Sequence, residues 1–406
     1  MRRVLLFTFI VLASLPAFAQ AKPKVRAITA FVRLDRAQYK NQIRDTLAFL
    51  RRAKASFEQR GYQVEGVRIT TQPFPELVRG LKHDEAMAFL RGYDELAQKE
   101  NFDTSIGPAM LSDADDPANA RLLAEAIAAG KILEGSIIIA GEDGIHWKSI
   151  AAAADVIKYL EEHSAHSQAN FNFAATAMLP PLAPFYPGSY HTGAGHQFAV
   201  GLESANVVAE AFASASGFDT ASQQLTSRLA PFALDIEAGA KELAAHAGWS
   251  YAGLDLSPAP LKDVSIGAAL ENLTHARVGS SGTMSAVAAI TAVLKAIPVQ
   301  QAGYSGLMLP PLEDSVLARR WSEGAISVDA LLAYSAVCGT GLDTIPLPGE
   351  ITAEQLRRML ADVAFLARKW HKPLSARLLP VAGKKAGERT EFDDPFLVNA
   401  MLQPLP

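Results

Sequence analysis

Two rhythms of apolar and polar residues take turns along most of the chain. The run from Val25 to Leu34 is apolar and β-branched and predicts a strand. Ile43, Leu47, Leu50 and Phe57 then recur at helical intervals, as one face of an amphipathic helix requires. The pair repeats, with "VEGVRIT" as a strand after Gly61 and a helix over "HDEAMAFLRGYDELAQ". Further strands are predicted at "NFDTSIG", "ILEGSIIIAG", "NFNFAATAML", "HQFAVGLE", "WSYAGLDLS", "YSGLMLP", "GLDTIPLP" and "LSARLLPV". Between them the spacing predicts helices over residues 117–129, 146–164, 204–216, 221–247, 282–296, 314–335 with a break near Gly324, and 352–369. The last opens with Thr352 and Gln355 at capping-box spacing and sets Leu356, Met359, Val363, Leu366 and Trp370 on one face.

About ten strands separated by helices predict an α/β chain with a largely parallel sheet, open or closed into a barrel. No Pro/Ser-rich linker, compositional shift or fixed-period repeat divides the sequence, so residues 20–406 are expected to form one domain. The proline clusters "LPPLAPFYPG" and "LPPLED" directly follow predicted strands, where α/β folds build their sites.

The N-terminus adds a compartment. "MRRVLLFTFIVLASLPAFAQ" has a basic start, an apolar run from Val4 to Leu15 and a small-residue end at Ala17-Phe18-Ala19. That is the pattern of a cleavable signal peptide over residues 1–19, with cleavage expected before Gln20 and secretion or a periplasmic location as the consequence. The apolar run is shorter than the roughly 20 residues that span a bilayer, and no second run is longer, so no membrane span is expected after cleavage. The net charge is −4 and no basic stretch exceeds Lys384-Lys385, which argues against a nucleic-acid partner. With a single cysteine there is no internal disulfide, and stability must come from a core that 49% hydrophobic content can supply.

Four places carry candidate chemistry. In "LPPLAPFYPGSYHTGAGHQFAVGLE", His191 and His196 flank a glycine turn and could supply imidazole to a divalent metal. Glu203 stands at the far end of a strand from His196, too distant to join them. Histidines bonding the backbone of a rigid loop are the structural alternative. In "ARVGSSGTMSAVAAI", Gly279, Ser280, Ser281, Gly282 and Thr283 lead into a helix whose free amides suit an anion, although an ordinary N-cap explains the same residues. In "MLPPLEDSVLARR", Glu313 and Asp314 open a helix; they offset its dipole or, with Asp343, offer carboxylates to a hard cation. Cys338, in "YSAVCGTGLDTIPLPG", is a nucleophile only if something lowers its pKa; otherwise it is a small buried apolar residue. Gly339 and Gly341 beside it suit close backbone approach.

Several stretches together resemble the DUF711, or UPF0210, family: "VRAITAFVRLD", "FNFAATAMLPPLAPFYPGSYH", "GLDLSPAP", "VGSSGTMSAVAAI", "YSGLMLPPLEDSVLARRWSEG", "YSAVCGTGLDTIPLPG" and "SARLLPVAGKKAGE", in that order. The resemblance implies a ten-stranded α/β barrel similar to those of pyruvate formate-lyase and the large subunit of ribonucleotide reductase. In those enzymes a finger hairpin carries a cysteine into the barrel, and "AVCGTGLD" would place Cys338 at such a tip. The glycyl-radical segment is not matched, since Gly383 in "RLLPVAGKKAG" is followed by lysine rather than an aromatic residue, so radical chemistry is not expected. Two functions follow as expectations. One is an enzyme with Cys338 at the centre of a barrel cavity, His191 or His196 as proton partner, the residue 279–283 amides or Arg residues holding a small, anionic substrate, and Asp343 as a further ligand-binding candidate. The other is a small-ligand or metal-binding protein without turnover.

Overall fold

The computed structural model describes residues 22–405, so the expected signal peptide lies outside the described residues. The strand-forming runs become β1 (Lys24–Val32), β2 (Val64–Thr70), β3 (Asp103–Pro108), β4 (Leu133–Gly141), β5 (Gly144–Ile145), β6 (Phe173–Ala177), β7 (Gly195–Glu203), β8 (Ser250–Asp255), β9 (Gly341–Pro348) and β10 (Leu374–Val381). Among the described residues they form one ten-stranded sheet, ordered β8-β7-β1-β2-β3-β4-β6-β10-β9, with β5 as a short flap on β4. Strands β1, β2, β3, β4 and β6 run parallel, and the β7–β8 and β9–β10 pairs join them through antiparallel contacts of β7 with β1 and β10 with β6. This is the mixed α/β architecture that the alternating pattern predicts.

Helices bury their apolar stripes against one face of the sheet. Ile43, Leu47, Leu50 and Phe57 of the helix Tyr39–Gln59 are all buried in one core with Val25, Ile28 and Ala30 of β1. Each such side chain removed from water contributes about 1.5–3 kcal/mol. The helix Ala353–Trp370 has the predicted Thr352/Gln355 capping box, but its buried stripe is Leu356, Leu360, Val363, Ala364 and Ala367, and Trp370 is exposed. Among the described residues no helix is long and apolar enough to cross a membrane.

The hydrogen-bonded ladder does not close on itself. The gap between β8 and β9 is crossed by residues 300–309, which contain the predicted strand "YSGLMLP". That segment touches both sides: Leu254 N donates to Gln300 O at 2.8 Å, Ala302 N to Leu254 O at 3.0 Å, and Gly339 N to Leu307 O at 2.6 Å. It is not a strand because a side chain takes its amides. Asp255 accepts from Tyr304 N and Ser305 N, both at 3.0 Å, and Ser257 Oγ accepts from Gly306 N at 3.3 Å. Gly303, at φ 61°, makes this possible, since a Cβ there would lie 2.1 Å from Asp255 Oδ2.

The expected finger hairpin is also absent at Cys338. Its N–H donates to Tyr334 O at 2.8 Å, continuing the helix Val328–Tyr334 by a turn, and β9, which starts at Gly341, runs parallel to β10. The thiol therefore stands at a helix-to-strand turn. What enters the inner face of the sheet is instead the proline loop after β6, where Leu179, Ala183 and Phe185 pack with Tyr304 and Met308 in a second, smaller apolar cluster.

Candidate functional site

Side chains from β1, β2, β3, β4, β7, β8, β9 and β10 line one cavity of about 630 Å³. Strands at opposite ends of the sheet order thus face the same space, which requires the sheet to be rolled around it.

One wall is built by a bulge. Leu342 pairs with Ala376 and Ile345 with Leu378, so two residues, Asp343 and Thr344, stand opposite the single residue Arg377. A bulge re-aims side chains, and here it sets a carboxylate beside a guanidinium. Thr344 has φ 49°, a left-handed conformation that costs a β-branched residue roughly 1–3 kcal/mol and is tolerated where the surroundings enforce it. Arg377 Nε donates to Asp343 Oδ1 at 2.5 Å, Nη2 donates to Glu313 Oε1, and the guanidinium lies 4.9 Å from the Phe171 ring centre and 5.6 Å from that of Phe185. Asp343 is fully buried, and its Oδ2 has no hydrogen-bond partner. Burial, opposed by Arg377 and assisted by Asp343, raises the pKa of Glu313.

The opposite wall is less committed. Arg68 of β2 lies over the Tyr186 ring at 4.6 Å, but its polar contacts are long: 3.4 Å to Asp103 Oδ2 and 3.5 Å to Pro184 O. Glu134 of β4 lines the cavity, and its carboxyl meets no hydrogen-bonding group among the described residues. Glu134 is half-buried, and burial pushes its pKa up to about 8, with Arg68 opposing. At the rim, Lys24 and Arg26 interleave with Glu65 and Glu203 in contacts of 2.9–3.2 Å.

The proline loop seals the far side. Thr70 Oγ1 hydrogen-bonds Tyr186 Oη at 3.0 Å and Ser189 Oγ at 2.7 Å, and Ser105 Oγ donates to Ser189 O at 2.9 Å. Pro184, Phe185 and Tyr186 of this loop line the cavity.

Of the residues singled out from sequence, Asp343 and Glu313 reach this cavity and the others do not. His191 is buried, donates from Nε2 to Val32 O at 2.8 Å, and sits edge-on to Phe31; burial lowers its pKa and keeps it neutral. It is the loop-anchoring histidine of the structural alternative. His196 is exposed and stacks on Trp249 at 5.1 Å, with no contact to His191. Asp314 caps the helix Ser315–Ser322: its carboxylate accepts from Val316 N, Leu317 N, Ser265 Oγ and Gly267 N, and it does not line the cavity. Gly279 to Thr283 close on themselves, with Gly279 N donating to Thr283 Oγ1 at 3.1 Å and Thr283 N to Ser280 O at 3.1 Å, and none of them lines the cavity. Cys338 is 1% exposed, belongs to the main core and does not line the cavity either. Among the described residues no cluster of three or more His, Cys, Asp or Glu side chains is arranged to hold a metal ion.

The sequence reading missed Arg377, Glu134 and Arg68. A signal was present: each is a charge set inside an otherwise apolar or β-branched strand, in "LSARLLPV", "ILEGSIIIAG" and "VEGVRIT". A charge in such a strand must face either solvent or a polar interior.

Residues 17–393 match a protein-family model described as Uncharacterised ACR (DUF711). The chain is similar to a UPF0210 protein of Pyrobaculum aerophilum, 33% identical over 81% of this chain and 76% of the relative. UPF0210 proteins of Ruminiclostridium cellulolyticum, covering 82% of this chain and 77% of that one, and of Bifidobacterium longum, covering 84% and 79%, are each 27% identical to it. The chain belongs to the DUF711, or UPF0210, family.

Proposed function

We propose that this chain is an enzyme that transfers a proton to or from a small polar molecule bound in the cavity, with Glu134 as the group that carries the proton. The observation behind this reading is a carboxyl that lines the cavity without a hydrogen-bond partner and whose pKa burial raises to about 8. A group whose pKa lies near the working pH is suited to give and take a proton within one cycle. The non-catalytic alternative, a small-ligand binder, would use the same cavity, but it gives Glu134 no task.

The cavity volume of about 630 Å³ lies within the range of small-molecule sites. Carboxylates outnumber cations along its lining, which favours a ligand with hydrogen-bond donors or a positive group over a purely anionic one. Arg377, fixed by Asp343 and Glu313, shapes the site and contributes no proton.

The test is solvent-deuterium incorporation. Pools of small metabolites are incubated with the protein in heavy water and read by mass spectrometry. Label should enter at least one compound with the wild type, and Glu134→Gln should slow it by about 10²-fold or more, the usual contribution of a general acid or base. Equal incorporation by the two proteins, or none by either, would remove the reading.

A further inference from the structure

The cavity has two poles of opposite demand. At one, Asp343 is fully buried with Oδ2 unpartnered, beside Glu313, and the one guanidinium between them is already bonded to both. An unpaired carboxylate oxygen in such a place costs free energy until a donor reaches it. At the other, Arg68 is held on the Tyr186 ring with only long polar contacts, and Glu134 stands on the same stretch of wall. An under-committed guanidinium accepts a carboxylate in a two-point contact.

Strand order sets these poles on different walls. From β2, which carries Arg68, to β9, which carries Asp343, there are five steps through β3, β4, β6 and β10. In the other direction there are also five, through β1, β7, β8 and the bridging segment 300–309. Equal step counts by both routes set the two residues on opposed walls of the rolled sheet. A ligand that satisfies both must carry a positive and a negative group. Phe171 and Phe185 beside Arg377, and Tyr186 under Arg68, line the cavity and offer apolar surface to the rest of the ligand.

We propose that the cavity binds a small zwitterion, of amino-acid or dipeptide type, with its ammonium group at Asp343 and Glu313 and its carboxylate at Arg68. This inference rests on the cavity as the site, as the proposed function does, but it does not depend on turnover.

The test is calorimetric and ligand-observed NMR binding of free amino acids and dipeptides, each beside its N-acetyl and its methyl-ester form. The zwitterions should bind, and loss of either charge should weaken binding about tenfold or more. Arg68→Met should erase the preference for the free acid over the ester. Asp343→Asn should erase the preference for the free amine over the acetylated form. If Asp343→Asn does not fold, Arg68→Met decides alone, because Arg68 has no short polar contact to lose. No binding by any zwitterion, or preferences unchanged in the variants, overturns the assignment. Zwitterion binding without deuterium exchange keeps this inference and removes the proton-transfer reading. Exchange confined to molecules that lack one of the charges does the reverse.

Discussion

Cys338 and Asp343 stand in the same short stretch, "CGTGLD", and the fold sends them to different places. The thiol ends a helical turn and is sealed in the apolar core, whereas the carboxylate enters the bulge in β9 and faces a polar cavity. Both are buried to the same degree; what differs is the company they keep. Burial alone therefore says little about function here. A thiol packed in the core, with Lys372 Nζ donating to its backbone carbonyl, is a packing element, while a carboxylate with one free oxygen beside a shared guanidinium is an unfinished interaction.

Removing the shared guanidinium should break the contrast most strongly. Arg377→Met leaves Asp343 and Glu313 as two buried carboxylates without the guanidinium bonded to both, and a loss of about 3–5 kcal/mol in unfolding free energy is expected by denaturant titration. A loss under about 1 kcal/mol would mean that water already serves these groups.

Glu134 offers an effect with a defined sign. Its folded pKa is raised, from 4.5 to about 8, so between those values the unfolded chain is ionised while the folded one still binds the proton. Wild-type stability therefore falls, relative to Glu134→Gln, as pH rises from about 4.5 to about 8, and the difference is constant above that. Melting curves of the two proteins across this range should diverge and then run parallel. Curves parallel throughout would show that Glu134 titrates as an ordinary exposed carboxylate.

The smallest effect is expected at the thiol. Cys338→Ala deletes one buried heavy atom and should cost about 1 kcal/mol, with ligand binding in the cavity unchanged. Alkylation of Cys338 should track global unfolding as denaturant rises. Rapid labelling of the native protein would place the thiol on an open surface and reverse the comparison.

The close backbone approach expected of the glycines beside Cys338 is present, since a Cβ on Gly339 would lie 2.5 Å from the Gly306 carbonyl carbon. That crossing joins the turn to the bridging segment, and it was legible because glycine leaves so few other reasons for its presence. Asp343 and Glu313 were legible as acids near glycine and proline turns. Their shared partner Arg377 was not, because it lies 34 and 64 residues away in sequence and meets them only through the β9–β10 register and the turn after the bridging segment. His191 and His196 looked like a pair by spacing, yet the strand start at Gly195 and the buried proline loop turn them to different environments.

Local sequence determined the alternation of strands and helices, the break at Gly324 and the capping box at Thr352, because periodicity, φ preference and side-chain capping act over a few residues. Tertiary structure alone decided that the ladder ends at β8 and β9, that residues 300–309 span the gap and that Arg377 is shared by two carboxylates. Those outcomes depend on competition between groups far apart in the chain. Asp255 takes the amides that would have made another strand, and a bulge one residue long decides which side chains see the cavity.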